Sequence, residues 1–177
     1  MKPSVAVMLI VMVLALAAPV SAQSVGEKTG INSALGVSPS TPDFVKQVAI
    51  SDMFEIESSN LAQQKADAET KKFASKMVAD HIKTSNELKA MVKGVDKAPL
   101  PTAMDGSHKG KLDKLKGLSG DQFTKQYRAD QVTAHTDAVS LFDRYAKGGD
   151  NEKLKGWAAK TLPALKHHLE MAEALNK

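Results

Sequence analysis

Apolar residues recur every three or four positions in four stretches of the chain, which is the period of an amphipathic α-helix. These stretches cover roughly residues 42–66, 69–94, 119–149 and 150–175. Thr41-Pro42-Asp43 has the composition of a helix start, and Gly148-Gly149 that of a helix end. The period-two alternation that is typical of strands does not occur in the sequence. The pattern therefore predicts an all-α fold built from four long helices.

The connections between these helices restrict the topology. The turn at Asp67-Ala68 is short, so the first two helices must be antiparallel. About 24 residues separate the second and third helices, and Leu112, Leu115 and Leu118 predict a short helix among them. A connection of this length can cross the whole bundle, which gives two antiparallel hairpins in a ferritin-like four-helix bundle. It can also fold back, which leaves a simple up-down-up-down bundle open.

The N-terminal region has the features of a secretory signal peptide. Lys2 precedes an almost purely apolar run at residues 5–20, followed by a Val-Ser-Ala cleavage signal at 20–22. The run is shorter than the roughly 20 residues that span a bilayer. We therefore expect cleavage before Gln23, no transmembrane span in the mature protein, and a periplasmic location with outer-membrane association left open. Residues 23–41, rich in Ser, Gly, Thr and Pro, predict a flexible arm before the bundle at 42–177.

Composition excludes several classes of function. The sequence contains no cysteine, so a bacterial lipoprotein, disulfides and thiolate metal sites are excluded. The formal net charge is +4, but the basic residues alternate with acidic ones, and no arginine-rich run with interleaved aromatics appears. We therefore expect no nucleic-acid partner. A homodimer or a partner in the cell envelope stays open.

Each predicted helix has one candidate metal ligand on its apolar face. The four candidates are Glu55, His81, His135 and His168. One carboxylate and three imidazoles suit a single divalent transition metal such as Zn, Fe, Cu or Mn. The alternatives to a metal site are a buried polar network that only fixes helix register, and a site for another small ligand.

Three further residues are predicted to support this site. Asp80 is expected to orient the ring of the adjacent His81, as metal-binding histidines usually require. Tyr127 and Gln131 lie within two turns before His135 and are expected to join the same network.

The heights of the four candidates along the bundle can be compared. If both hairpin turns lie at the same end, Glu55, His81 and His135 are level, and His168 lies about 8 Å further out. Pro163 inside the fourth helix predicts a kink, which either bends the helix around the core or moves His168 towards the others.

Four segments of the sequence carry a resemblance to a known family. They are DFVKQVAISDMFEIESSNLA at 43–62, MVADH at 77–81, GDQFTKQYRADQVTAH at 120–135 and TLPALKHHL at 161–169. In this order they resemble the bacterial domain-of-unknown-function family 4142, which is placed in the ferritin-like superfamily and whose members often carry an outer-membrane label. The resemblance implies a ferritin-like fold and aligns all four candidate ligands with the family's typical polar positions. It implies no known reaction.

The chain departs from the di-iron members of that superfamily, which use Glu-x-x-His on two helices. The residues three before the candidate histidines are Val78, Val132 and Leu165. The carboxylates for two bridged irons are therefore missing, and one metal ion or none fits better. The leading hypothesis is a non-catalytic, exported metal-binding bundle in envelope or stress physiology. The alternatives are a metal-dependent oxidoreductase and a purely structural or interaction protein.

Overall fold

The computed structural model describes residues 25–28, 30–95 and 98–177, so the predicted signal peptide at 1–22 lies outside the described residues. The helices of the described ranges are α1 Val25–Lys28, α2 Ile31–Ala34, α3 Thr41–Lys65, α4 Ala68–Met91, α5 Gly106–Gly117, α6 Gly120–Gly148 and α7 Glu152–Leu175. Over these ranges there is no strand, which confirms the all-α prediction.

Side-chain caps mark the beginning of three of the four long helices, and α6 begins without one. Ser40 accepts a hydrogen bond from the backbone N–H of the third residue beyond it, and Asp67 and Asn151 do the same at the starts of α4 and α7. Such caps satisfy N–H groups that have no partner inside the helix. The long helices therefore start within one or two residues of the positions predicted from the sequence.

Helix α3 runs antiparallel to α6. Near the start of α3, the ring of Phe44 stacks on Tyr145 near the end of α6, with ring centroids 3.9 Å apart. Near the end of α3, Ser59 Oγ lies 2.8 Å from the hydroxyl of Tyr127 near the start of α6. The two hairpin turns, which follow α3 and α6, therefore lie at opposite ends of the bundle.

Helix α4 runs antiparallel to α7. Trp157 Nε1 near the start of α7 donates to Glu87 Oε2 near the end of α4 over 2.7 Å. Further along, His168 Nε2 lies 2.8 Å from Asp80 Oδ2. Because α4 and α6 both oppose α3, they point the same way, and the connection between them has to cross the length of the bundle. The ferritin-like topology with a long connection is confirmed, and the up-down-up-down alternative is wrong.

The connection and the N-terminal segment cover one face of the bundle, the one formed by α3 and α6. Helix α5 packs there through its buried Leu112 and Leu115. The segment predicted as a flexible arm contains two single-turn helices in its described part and contacts α6. Arg144 of α6 donates to Glu27 Oε1 over 3.0 Å and to the carbonyl of Val37 over 2.6 Å. The nearly buried guanidinium obtains its acceptors from this segment, which accounts for the packing.

A polar layer divides the core into two apolar clusters. One cluster surrounds Phe44, Tyr145 and Trp157, and the other surrounds Phe73 and Tyr127. The residues of the layer between them are less than 5% exposed: Asp52, Glu55, His81, Gln131, His135 and His168. Burying this many polar groups is costly without partners. The layer is therefore a candidate binding site.

Among the helices that the structure describes, none is long and apolar enough to cross a membrane.

Candidate metal site

Three imidazoles meet in the middle of the bundle. They belong to His81 on α4, His135 on α6 and His168 on α7. One ring nitrogen of each lies within 4.8 Å of the other two, and the ring centroids are 5.4, 5.6 and 5.9 Å apart. Three nitrogen donors at this spacing can bind one transition-metal ion once they close around it.

The outer nitrogen of each ring is held by an oxygen acceptor. His81 Nδ1 lies 2.7 Å from Asp52 Oδ1 and His168 Nε2 lies 2.8 Å from Asp80 Oδ2. His135 Nδ1 lies 2.9 Å from the backbone carbonyl oxygen of Gln131. An imidazole N–H beside a carboxylate or carbonyl oxygen donates a hydrogen bond to it. These contacts fix the ring orientations in the way that metal-binding histidines are usually fixed.

The inner nitrogens have no such partners. His81 Nε2, His135 Nε2 and His168 Nδ1 are inaccessible to solvent and make no hydrogen bond. A single buried polar atom without a partner costs about 1–3 kcal/mol. Three such atoms that converge on one point, each on a ring fixed from behind, fit a bound cation better than a network that is complete in itself.

Burial sets the protonation of two of the rings. It lowers the pKa of both His135 and His168 to about 4, helped by charge repulsion from a neighbouring histidine in each case. Both rings are therefore neutral at pH 7. Burial acts in the same direction on His81, but the hydrogen bond to Asp52 and the charge of Glu55 outweigh it and raise the pKa of His81. A metal ion thus meets two neutral rings, those of His135 and His168, whose free lone pairs can bind it.

The fourth predicted ligand, Glu55, lies beside this group and does not belong to the set of converging donor atoms. Its side chain is buried, and neither carboxylate oxygen makes a hydrogen bond of normal geometry. Burial raises the pKa of Glu55, although the charge of His81 and the nearby amide of Gln131 act in the opposite direction. The structure therefore brings together three of the four predicted ligands.

A family model described as "Domain of unknown function (DUF4142)" matches residues 26–175. The chain belongs to the DUF4142 family. Its fold is similar to a solved structure named "CopM in the Cu(II)-bound form", with 17% sequence identity and a TM-score of 0.66. The similar region covers 79% of this chain and 97% of that chain. The comparison with curated proteins gave no match. The structural likeness shows a shared helical fold.

In this DUF4142 chain Asp80 orients a different histidine from the predicted one: it contacts His168 and not His81. Asp80 directly precedes His81 in the chain. Its side chain therefore projects about 100° away from that of His81 around α4, towards α7. There it holds His168, while Asp52 of α3 holds His81. Sequence reasoning missed Asp52. The only feature of the sequence that pointed to Asp52 was its position one helical turn before Glu55, on the same face of α3.

The two other supporting residues also act differently from the prediction. Gln131 reaches His135 through its backbone carbonyl, while its buried side-chain amide makes no hydrogen bond of normal geometry. The hydroxyl of Tyr127 pairs with Ser59, not with a histidine. The sequence located both residues on the inner face of α6, but the partner of Tyr127 belongs to α3, which lies opposite.

An open groove runs between α4 and α7 and borders the histidine cluster. Its volume is about 300 Å³, and both His81 and His168 line it. The other lining residues are Lys76, Asp80, Lys83, Thr84, Glu87, Lys160, Thr161, Ala164 and Leu165. The opposite face of the bundle is the one that α5 and the N-terminal segment cover. In this DUF4142 protein two of the three histidines therefore line the α4–α7 groove, whereas none lines the cavity of about 410 Å³ on the opposite face.

Proposed function

We propose that the protein binds one divalent transition-metal ion through His81, His135 and His168. The observation that carries the proposal is the convergence of three buried, unpartnered imidazole nitrogens within 4.8 Å. The hydrogen bonds on the far side of each ring support it, because a ring that is held from behind presents its other nitrogen to the ion.

Cu(II) is the first ion to test. Nitrogen sites bind divalent first-row metals in an order that peaks at copper, above zinc, iron and manganese. The solved structure with a similar fold is named as Cu(II)-bound, which supports the same choice. We further propose that the ion is bound after export, in the periplasm, as part of envelope or stress physiology.

Elemental analysis of the protein purified from the periplasm, without chelator or affinity tag, tests the proposal. The expected result is about one metal ion per chain that begins at Gln23, because the site has one set of three donors. A His81→Ala and His135→Ala double variant is expected to lose the ion, since it removes two of the three donors.

His167→Ala is the matched control. His167 directly precedes the proposed ligand His168 on α7. Its side chain is 62% exposed and points away from the cluster. This variant is expected to keep the ion. A folded protein that cannot be loaded with Cu(II) or Zn(II), or equal metal content in the double variant and the control, would contradict the proposal and leave the histidines as core structure.

A further inference from the structure

We propose that the bound metal takes a small monovalent anion from solvent, through the α4–α7 groove, and that Lys83 and Lys160 attract it. The proposal rests on the proposed function, since the metal supplies one side of the anion site. Its chemical class is an anion of the size and charge of azide, bound by coordination without a change in its covalent structure.

The donor set leaves room for such a ligand. Three imidazoles do not complete the four or more positions that a divalent transition metal takes, and at least one position stays open. Glu55 lies outside the converging set. The open position is therefore filled from another direction.

The fold decides that direction. On the α3–α6 side, a cavity of about 410 Å³ lies between α3, α6, α5 and the N-terminal segment, but none of the three proposed ligands lines it. On the α4–α7 side, two of the three proposed ligands, His81 and His168, line a groove of about 300 Å³. A ligand that enters from solvent therefore meets the metal from this groove.

The charges along the groove favour an anion. Asp80 is paired with the ammonium of Lys76 and also lies 2.8 Å from His168, whereas Glu87 accepts from the neutral indole of Trp157 and keeps its charge. Lys83 and Lys160 form no ion pair or hydrogen bond within the described residues. The three lysines of the groove outnumber its two carboxylates, and together with a divalent cation they create a positive potential that attracts small anions.

Titration of the Cu(II)-loaded protein with sodium azide tests the inference after the metal content has been measured. We expect a saturable change in the electron paramagnetic resonance spectrum and a new charge-transfer absorption band, with one azide per copper. In a Lys83→Ala and Lys160→Ala variant, the azide Kd is expected to rise roughly fivefold to tenfold at low ionic strength, and less at high salt.

Lys89→Ala with Lys166→Ala is the matched control, because it removes one exposed lysine from each of the same helices outside the groove. It is expected to leave the azide Kd unchanged. Stoichiometric copper with no spectral response to azide would overturn the inference and leave the metal site intact. Equal weakening in both double variants, or in neither, would also overturn it, because the groove lysines would then have no specific role. Failure to load copper at all is a failure of the proposed function, and the metal analysis identifies it before azide is added.

Discussion

At the scale of single residues, the site depends on what holds each imidazole from behind. The Asp52 carboxylate accepts from His81 Nδ1, and Thr84 and Ser85 hydroxyls also donate to it. The three donors hold the carboxylate in place, and the carboxylate in turn holds the ring. Asp52 is therefore a positioning residue for the proposed metal site although it does not itself belong to the converging set.

Asp52→Asn is expected to weaken Cu(II) binding by about 10- to 100-fold, because the amide no longer fixes the ring and tautomer of His81 as a carboxylate does. Competition with a chelator of known affinity measures the change. Asp113→Asn on α5 is the control, since Asp113 is exposed and pairs only with Lys116 over 3.3 Å. An equal effect of both substitutions would show that the loss is one of general surface charge.

Acid is expected to destabilise the metal-free protein through His135 and His168. Unfolded histidines bind protons near pH 6.5, whereas burial lowers the pKa of these two to about 4 in the bundle. Unfolding therefore takes up protons between these pH values, and the free energy of unfolding falls as the pH drops from 6.5 towards 4. Glu55 acts in the opposite direction, because burial raises its pKa and the folded state binds its proton more readily.

Glu55→Gln separates the two contributions. The variant lacks the carboxyl that gains stability on acidification, so its free energy of unfolding is expected to fall more steeply with decreasing pH than that of the natural protein. Urea unfolding at a series of pH values measures this, with fluorescence of Trp157, the only tryptophan, as the signal. Parallel curves for the two proteins would contradict the assignment of the raised pKa to Glu55.

At the scale of helices, α5 shows how the crossover contributes to stability. Leu115 is 0% exposed and belongs to the cluster around Phe73 and Tyr127. Leu115→Ala is expected to lower the free energy of unfolding by about 3 kcal/mol, as large-to-small substitutions in cores do. Ile82→Ala is the control, because Ile82 loses a similar apolar volume but is 45% exposed, and it is expected to cost under about 1 kcal/mol. Similar losses in urea unfolding would mean that α5 is not an integral part of the core.

Sequence patterns were most informative about the helices. Caps such as Ser40 and Asn151 mark helix starts locally, and apolar spacing locates the inner face, so the histidines of three helices could be found in advance. The relative heights of the helices along the bundle could not be predicted from the sequence. The level comparison that displaced His168 assumed turns at one end of the bundle, whereas the turns lie at opposite ends and His168 joins the cluster. Asp52 was missed because its function depends on a partner 29 positions away.

At the scale of the whole molecule, metal binding is expected to stabilise the fold. The proposed ion would bind the folded bundle and not the scattered histidines of the unfolded chain, so a free concentration 100 times the Kd would add about 2.7 kcal/mol. For a chain of this size that raises Tm by about 5–10 °C. Calorimetry with and without Cu(II) measures the shift. It is expected in His167→Ala and absent in the variant that lacks His81 and His135, and a shift in both would point to binding elsewhere.

The three proposed ligands come from three different helices, and this has a consequence for the order of events during synthesis. His81 and His135 are 54 positions apart in the chain, and His168 follows 33 positions later. A chain that is still emerging, or that is held unfolded during transport, can therefore offer only isolated imidazoles to any metal that it meets. If the three histidines bind a metal as proposed, the choice of ion is made in the compartment where α7 closes against α4, and the place of folding decides which metal the site takes up.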